Sequence, residues 1–184
     1  MNLKQSNIYK PKLIFKKKVF YCQIGSKGTA LSYKKIEGDF KTPSGRWELG
    51  KIFIRKDKFK HFKVSRSIAN KICYIHKNYF WCHDATNIFY NKLFINRNKS
   101  NNKIVGYENL FRSDNAYDIF IELKYNQKPI IKNKGSAIFI HCSFSDYRPT
   151  AGCIALRKKD IKFLITNLQK KNYIYIGIWI NSGD

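Results

Sequence analysis

Residues 135–141 run from Gly135-Ser136 through a short apolar stretch to His141, and the chain then reaches a turn of small residues, Thr150-Ala151-Gly152, that presents Cys153. These residue types suit acyl transfer. Cysteine attacks a carbonyl as its thiolate, and an imidazole within reach can take the thiol proton. Gly152 lets the backbone approach a substrate closely, and the backbone N–H groups of Gly152 and Cys153 can point at the oxyanion of an attacked carbonyl. The plain alternative is that both side chains are structural, as buried free cysteines and core histidines commonly are. Arg112 and Arg148 are the candidates for gripping a substrate carboxylate, because guanidinium pairs with it bidentately; surface charge is their plain alternative. Trp81 and Tyr117 are candidate substrate platforms, with core packing as the competing role.

The elements that must position these residues are mostly strands. Residues 18–24 and 29–35 flank Gly25-Ser26-Lys27-Gly28, which predicts a hairpin turned by its glycines. Residues 37–45 read as a loop, with turn chemistry at Thr42-Pro43-Ser44-Gly45. Strands are expected over 47–55 and 117–125; in the second, alternation of apolar residues with Asp118, Glu122 and Lys124 predicts one buried and one wet face. Residues 137–140 predict a buried strand whose end presents His141 at a sheet edge. After Cys153, the spacing of Ile161, Leu164, Ile165 and Leu168 predicts a helix over 158–168, with Asp160 suited to its N-terminus. A last strand is expected over 173–180. The expected fold is therefore mainly β, of the α+β class, with one or two helices, and residues 1–184 form one domain.

The composition fits a packed protein, since 43% of residues are hydrophobic and 16% aromatic, too apolar for a disordered chain. A formal charge of +24 suits polyanion binding. The basic residues are spread along the chain, however, and abundant Lys, Asn, Ile, Tyr and Phe also follow from AT-rich codons. No dedicated nucleic-acid site is expected. Five cysteines at irregular spacing argue against a closed disulfide framework. Cys73, His76, Cys82 and His83 lack the spacing of a tetrahedral site, so no metal and no cofactor is expected. Residues 1–18 are basic without an apolar run of signal-peptide length, and no segment approaches a membrane span.

The 135–156 segment resembles the signature of the L,D-transpeptidase catalytic domain, the YkuD family, with His141 matching its base and Thr150, Gly152 and Cys153 its nucleophile turn. The resemblance covers about residues 21–168. Further matches are Glu37-Gly38-Asp39 with Thr42-Pro43-Ser44-Gly45, Trp81-Cys82-His83-Asp84 with Tyr90-Asn91, Glu108 to Arg112, Tyr117-Asp118, Tyr125-Asn126 and Gly135-Ser136. It implies a β-sandwich or barrel, a thioester acyl-enzyme on Cys153, and meso-diaminopimelate stem peptides of peptidoglycan as partners. Thr150 joins Arg112, Arg148, Trp81 and Tyr117 as an expected substrate contact. Many family members carry His two residues before the nucleophile and Arg or Asn two residues after it; Ala151 and Ala155 stand there, which shifts the oxyanion role onto the backbone of Gly152 and Cys153. A wall substrate implies the periplasm or cell envelope, although no export signal is visible. The same resemblance accommodates an L,D-carboxypeptidase, and a basic binding module that has kept the fold without the chemistry is the non-enzymatic alternative.

Overall fold

The computed structural model describes residues 11–60, 62–97, 104–144 and 146–177. Among them the strands are β1 (Lys12–Phe15), β2 (Lys18–Tyr21), β3 (Thr29–Leu31), β4 (Thr42–Ile54), β5 (Ile72–Tyr74), β6 (Tyr79–Cys82), β7 (Leu93–Ile95), β8 (Tyr107–Asn109), β9 (Ile119–Leu123), β10 (Phe139–Cys142), β11 (Ile154–Leu156) and β12 (Tyr173–Ile176). One α-helix, α1 (Lys158–Thr166), lies between the last two. The fold is mainly β, as the sequence predicts. Positions 178–180 of the expected last strand lie outside the described residues.

The long strand β4 is the spine of the main sheet, whose order is β11-β10-β9-β4-β12 with β3 and β5 also paired to β4. Alternation of side chains gives this sheet two apolar faces. Ile119, Ile121 and Leu123 of β9, with Ile140 and Leu156, pack with Ile161, Leu164 and Ile165 of α1. On the other face Phe53, Phe120 and Phe139 pack with Trp81 of the β7-β6-β8 sheet, so two sheets form a sandwich around aromatic rings. Each fully buried Ile or Phe contributes about 1.5–3 kcal/mol to holding these layers together.

Several local expectations are corrected. The glycine turn forms, with the Gly28 N–H donating to Gly25 O at 2.8 Å, but its arms do not pair with each other. β2 pairs with β1, and β3 runs parallel to the start of β4. Thr42-Pro43-Ser44-Gly45 is not a turn but the extended start of β4, where the Ser44 hydroxyl donates to Ala30 O at 3.0 Å. Proline's fixed φ is compatible with extended backbone.

The strand expected over 117–125 forms as β9, and of the three polar residues set on its wet face Lys124 is exposed while Asp118 and Glu122 find partners inside. Asp118 is buried between Lys58 and Lys158 at 2.8 and 2.6 Å. The Glu122 carboxylate accepts from the Lys51 N–H and from Gln127 Nε2, both at 2.8 Å. Nor does His141 end a strand at an edge. It lies within β10, which is flanked by β9 and β11. Helix α1 begins as expected, with Asp160 in its first turn paired to Arg157, and it stops two residues earlier than the predicted position 168.

Candidate active site

Strands β10 and β11 run parallel, with His141 opposite Ala155. Period-two alternation then sets Phe139 and His141 on one face of β10, and Cys153 beside them on the face opposite α1. The Phe139 N–H donates to Cys153 Sγ at 3.3 Å, and the thiol donates to Ala137 O at 3.1 Å. That carbonyl is aimed by a left-handed bend at Ala137, φ 52°, whose N–H donates to Asn91 Oδ1 at 3.1 Å. The side-chain amide of Asn91 in turn donates to Tyr125 O and Asn126 O at 3.1 and 2.7 Å.

The turn before Cys153 is braced from both sides. Backbone bonds of 2.8–2.9 Å tie Gln23 to Ala155 in both directions, and Ser26 and Ile24 to Thr150. The Thr150 hydroxyl accepts the Gly152 N–H at 3.1 Å and donates to Cys153 O at 2.6 Å. Thr42 Oγ1 also donates to Cys153 O, at 3.3 Å, and accepts the Gly25 N–H at 2.9 Å. Gly152 adopts φ 144°, and a Cβ there would sit 3.0 Å from Lys41 O, so only glycine fits without movement. Thr150 therefore acts on the turn itself, and the Gly152 N–H, expected to serve an oxyanion, is already engaged. The Cys153 N–H has no partner among the described residues and remains available.

His141 is buried, and its Nδ1 lies 2.9 Å from Cys142 O. A carbonyl can only accept, so Nδ1 carries the proton and Nε2 keeps its lone pair. The ring packs edge-on to Tyr117 and Phe144 at 5.5 and 6.1 Å between centroids. The Tyr117 hydroxyl donates to Glu108 Oε1 at 2.9 Å, and Arg112 Nη1 reaches the same oxygen at 3.1 Å. Arg112 also holds the Asp114 carboxylate in a bidentate pair, donating through Nε at 3.0 Å and through Nη2.

Cys153, His141, Tyr117, Arg112 and Glu108 line one pocket of about 640 Å³. Burial, and after it the Glu108 charge, push the Cys153 thiol up to about 12; the Phe139 N–H works the other way. Burial pushes the His141 imidazole down to about 4, against the Cys142 carbonyl. The resting pair is thus a neutral thiol and a neutral imidazole. Burial also raises the Glu108 carboxyl, opposed by the Tyr117 hydroxyl and Arg112.

The other expected contacts lie elsewhere. Trp81 belongs to the core, 3% exposed, with its Nε1–H on Asn91 Oδ1 at 3.1 Å and its ring against Phe139. Arg148 is exposed on the loop before Thr150, its guanidinium 3.9 Å over the Phe144 ring, outside the pocket lining. Among the described residues no three His, Cys, Asp or Glu side chains come together to hold a metal ion. Sequence reasoning missed Glu108, Thr42 and Asn91 as members of the site, and His83, which also lines the pocket. For Glu108 a signal existed, four residues before Arg112 within a matched motif.

A thiol and an imidazole on one sheet face, beside an unengaged backbone N–H, form apparatus suited to acyl transfer through a cysteine. Residues 12–176 match the family model of YkuD, the L,D-transpeptidase catalytic domain, and the chain belongs to that family. Its members are generally cysteine-dependent L,D-transpeptidases or carboxypeptidases that act on peptidoglycan. Comparisons with curated proteins and with solved structures find no match. No helix among the described residues is long and apolar enough to cross a membrane.

Proposed function

We propose that this protein is a peptidoglycan L,D-transpeptidase, one catalytic domain acting in the periplasm or cell envelope, with Cys153 as nucleophile and His141 as general base. The observation that carries the proposal is the shared pocket in which a neutral Cys153 thiol and a His141 imidazole with a free Nε2 stand beside the unengaged Cys153 N–H. As the thiol attacks the carbonyl joining meso-diaminopimelate to the terminal D-alanine, its proton passes to Nε2 and a carbon–sulfur bond forms. The Cys153 N–H receives the oxyanion. Collapse breaks the carbon–nitrogen bond, His141 returns the proton to the departing D-alanine amine, and a thioester remains. An amine of a second stem peptide, deprotonated by His141, then attacks the thioester and releases the thiol. Arg112, which keeps one N–H on each of Nη1 and Nη2 beyond those given to Glu108 and Asp114, takes the side-chain carboxylate of the diaminopimelate, with Tyr117 as the wall beside it.

Product analysis by mass spectrometry on purified tetrapeptide muropeptides tests this. Cross-linked dimers lacking one D-alanine are the expected product. Tripeptide alone would assign the thioester to water and make the enzyme an L,D-carboxypeptidase, and retention of D-alanine on every muropeptide would refute both.

A further inference from the structure

Glu108 sits on β8, in register with Trp81 of the central strand β6, so its carboxylate is held on a rigid element. Oε1 receives both the Tyr117 hydroxyl and Arg112 Nη1. Oε2 has no partner among the described residues, although the side chain keeps 26% of its exposure, through the pocket. A carboxylate with one oxygen saturated and the other open to a binding pocket is an acceptor awaiting a donor. The adjoining Arg112 gives Nε and Nη2 to Asp114 and Nη1 to Glu108, and retains one further N–H on each of Nη1 and Nη2. Side by side, an open anion and a partly open cation match the two charges of an α-amino acid zwitterion.

The same carboxylate lines the pocket that holds Cys153, and a negative charge there disfavours the thiolate. Paired through Oε1 alone, Glu108 still opposes a thiolate in its own pocket. An ammonium on Oε2 removes that opposition at the moment the substrate is in place.

We propose that Glu108 is a specificity-determining residue: its Oε2 accepts the ammonium on the D-centre of the donor's diaminopimelate side chain, and that ammonium offsets the charge opposing the Cys153 thiolate. Donor binding thereby activates the nucleophile, and a donor without that amine meets a less reactive thiol. This inference rests on the peptidoglycan reading given above.

The test compares two tetrapeptide donors, one with diaminopimelate and one with hydrogen in place of the D-centre amine, on the parent and on Glu108→Gln. Glutamine keeps a carbonyl oxygen for Tyr117 and Arg112, so the fold is retained. Cys153 acylation is followed by intact mass, and alkylation by iodoacetamide is measured without donor. The parent is expected to acylate about tenfold to a hundredfold faster with the diamino donor, the range for a hydrogen bond to a charged group. Glu108→Gln brings that ratio close to one, and without donor it alkylates faster, by about threefold to tenfold, the effect of up to one unit in thiol pKa. Equal rates of the two donors on the parent, a preserved ratio in Glu108→Gln, or no gain in its alkylation rate would each overturn the inference. If neither donor acylates the parent while alkylation still separates the two proteins, the peptidoglycan reading itself has failed and the donor assignment falls with it.

Discussion

Burial of the His141 imidazole sets a measurable dependence of stability on pH. In the folded protein the ring stays neutral until about pH 4, whereas an unfolded chain protonates it near 6.5. Between those values the unfolded state binds more protons, so stability falls as pH falls through that window. A displacement of that size corresponds to about 3 kcal/mol at pH 4, a large share of the stability of a domain this size. Replacing His141 by Gln removes the titration while keeping a donor for Cys142 O. Denaturant unfolding of both proteins from pH 7 to pH 4 should show the wild type losing about 3 kcal/mol more than the variant, the carboxylates being common to both. The same shift keeps Nε2 available as a base well below neutrality. Parallel stability curves for the two proteins would refute a dry, neutral imidazole.

The nucleophile turn offers a second test. Thr150→Val removes the hydroxyl that serves both Gly152 N and Cys153 O, and should cost about 1–3 kcal/mol and slow acylation; unchanged melting and unchanged rate would show that the turn is held otherwise. Gly25→Ala would put a Cβ 2.3 Å from Phe40 O and 2.9 Å from Lys41 Cα, both backbone. Unfolding midpoints should fall by the equivalent of about 1–3 kcal/mol or more, and a neutral result would mean this packing is loose. Since a thiolate supplies the nucleophile and a backbone amide the oxyanion contact, the acylation rate should be the same with and without EDTA; a loss restored by zinc would revive Cys73, His76 and Cys82 as ligands.

What could be read from sequence was what is encoded locally. Helix α1 announces itself through Ile161, Leu164 and Ile165, and the Cys153 turn through its small residues, because each is specified within one short segment. The arms of the Gly25–Gly28 turn carry strand signals but no signal for their partners, so the true pairings, β1 for one arm and β4 for the other, stayed hidden. Asp118 and Glu122 looked solvent-facing because alternation assigns polar residues to water. Their ion-pair and amide partners come from Lys58, Lys158, Lys51 and Gln127, a tertiary fact. Thr42 reads as part of a turn because Pro43, Ser44 and Gly45 follow it, and its role beneath Cys153 O depends on a contact between residues far apart in sequence. Glu108 has its neighbour Arg112 in view in the sequence, but only the folded sheets bring it into one pocket with the thiol.

In the proposed reaction Cys153 carries the acyl group. The direct measurement is intact and peptide-level mass spectrometry of the wild type and of Cys153→Ala after incubation with a diaminopimelate tetrapeptide. The wild type is predicted to gain the donor mass less D-alanine as a thioester on Cys153, and Cys153→Ala, with unchanged circular dichroism, to gain nothing and release no D-alanine. An adduct on any other residue, or D-alanine release by Cys153→Ala, would contradict it.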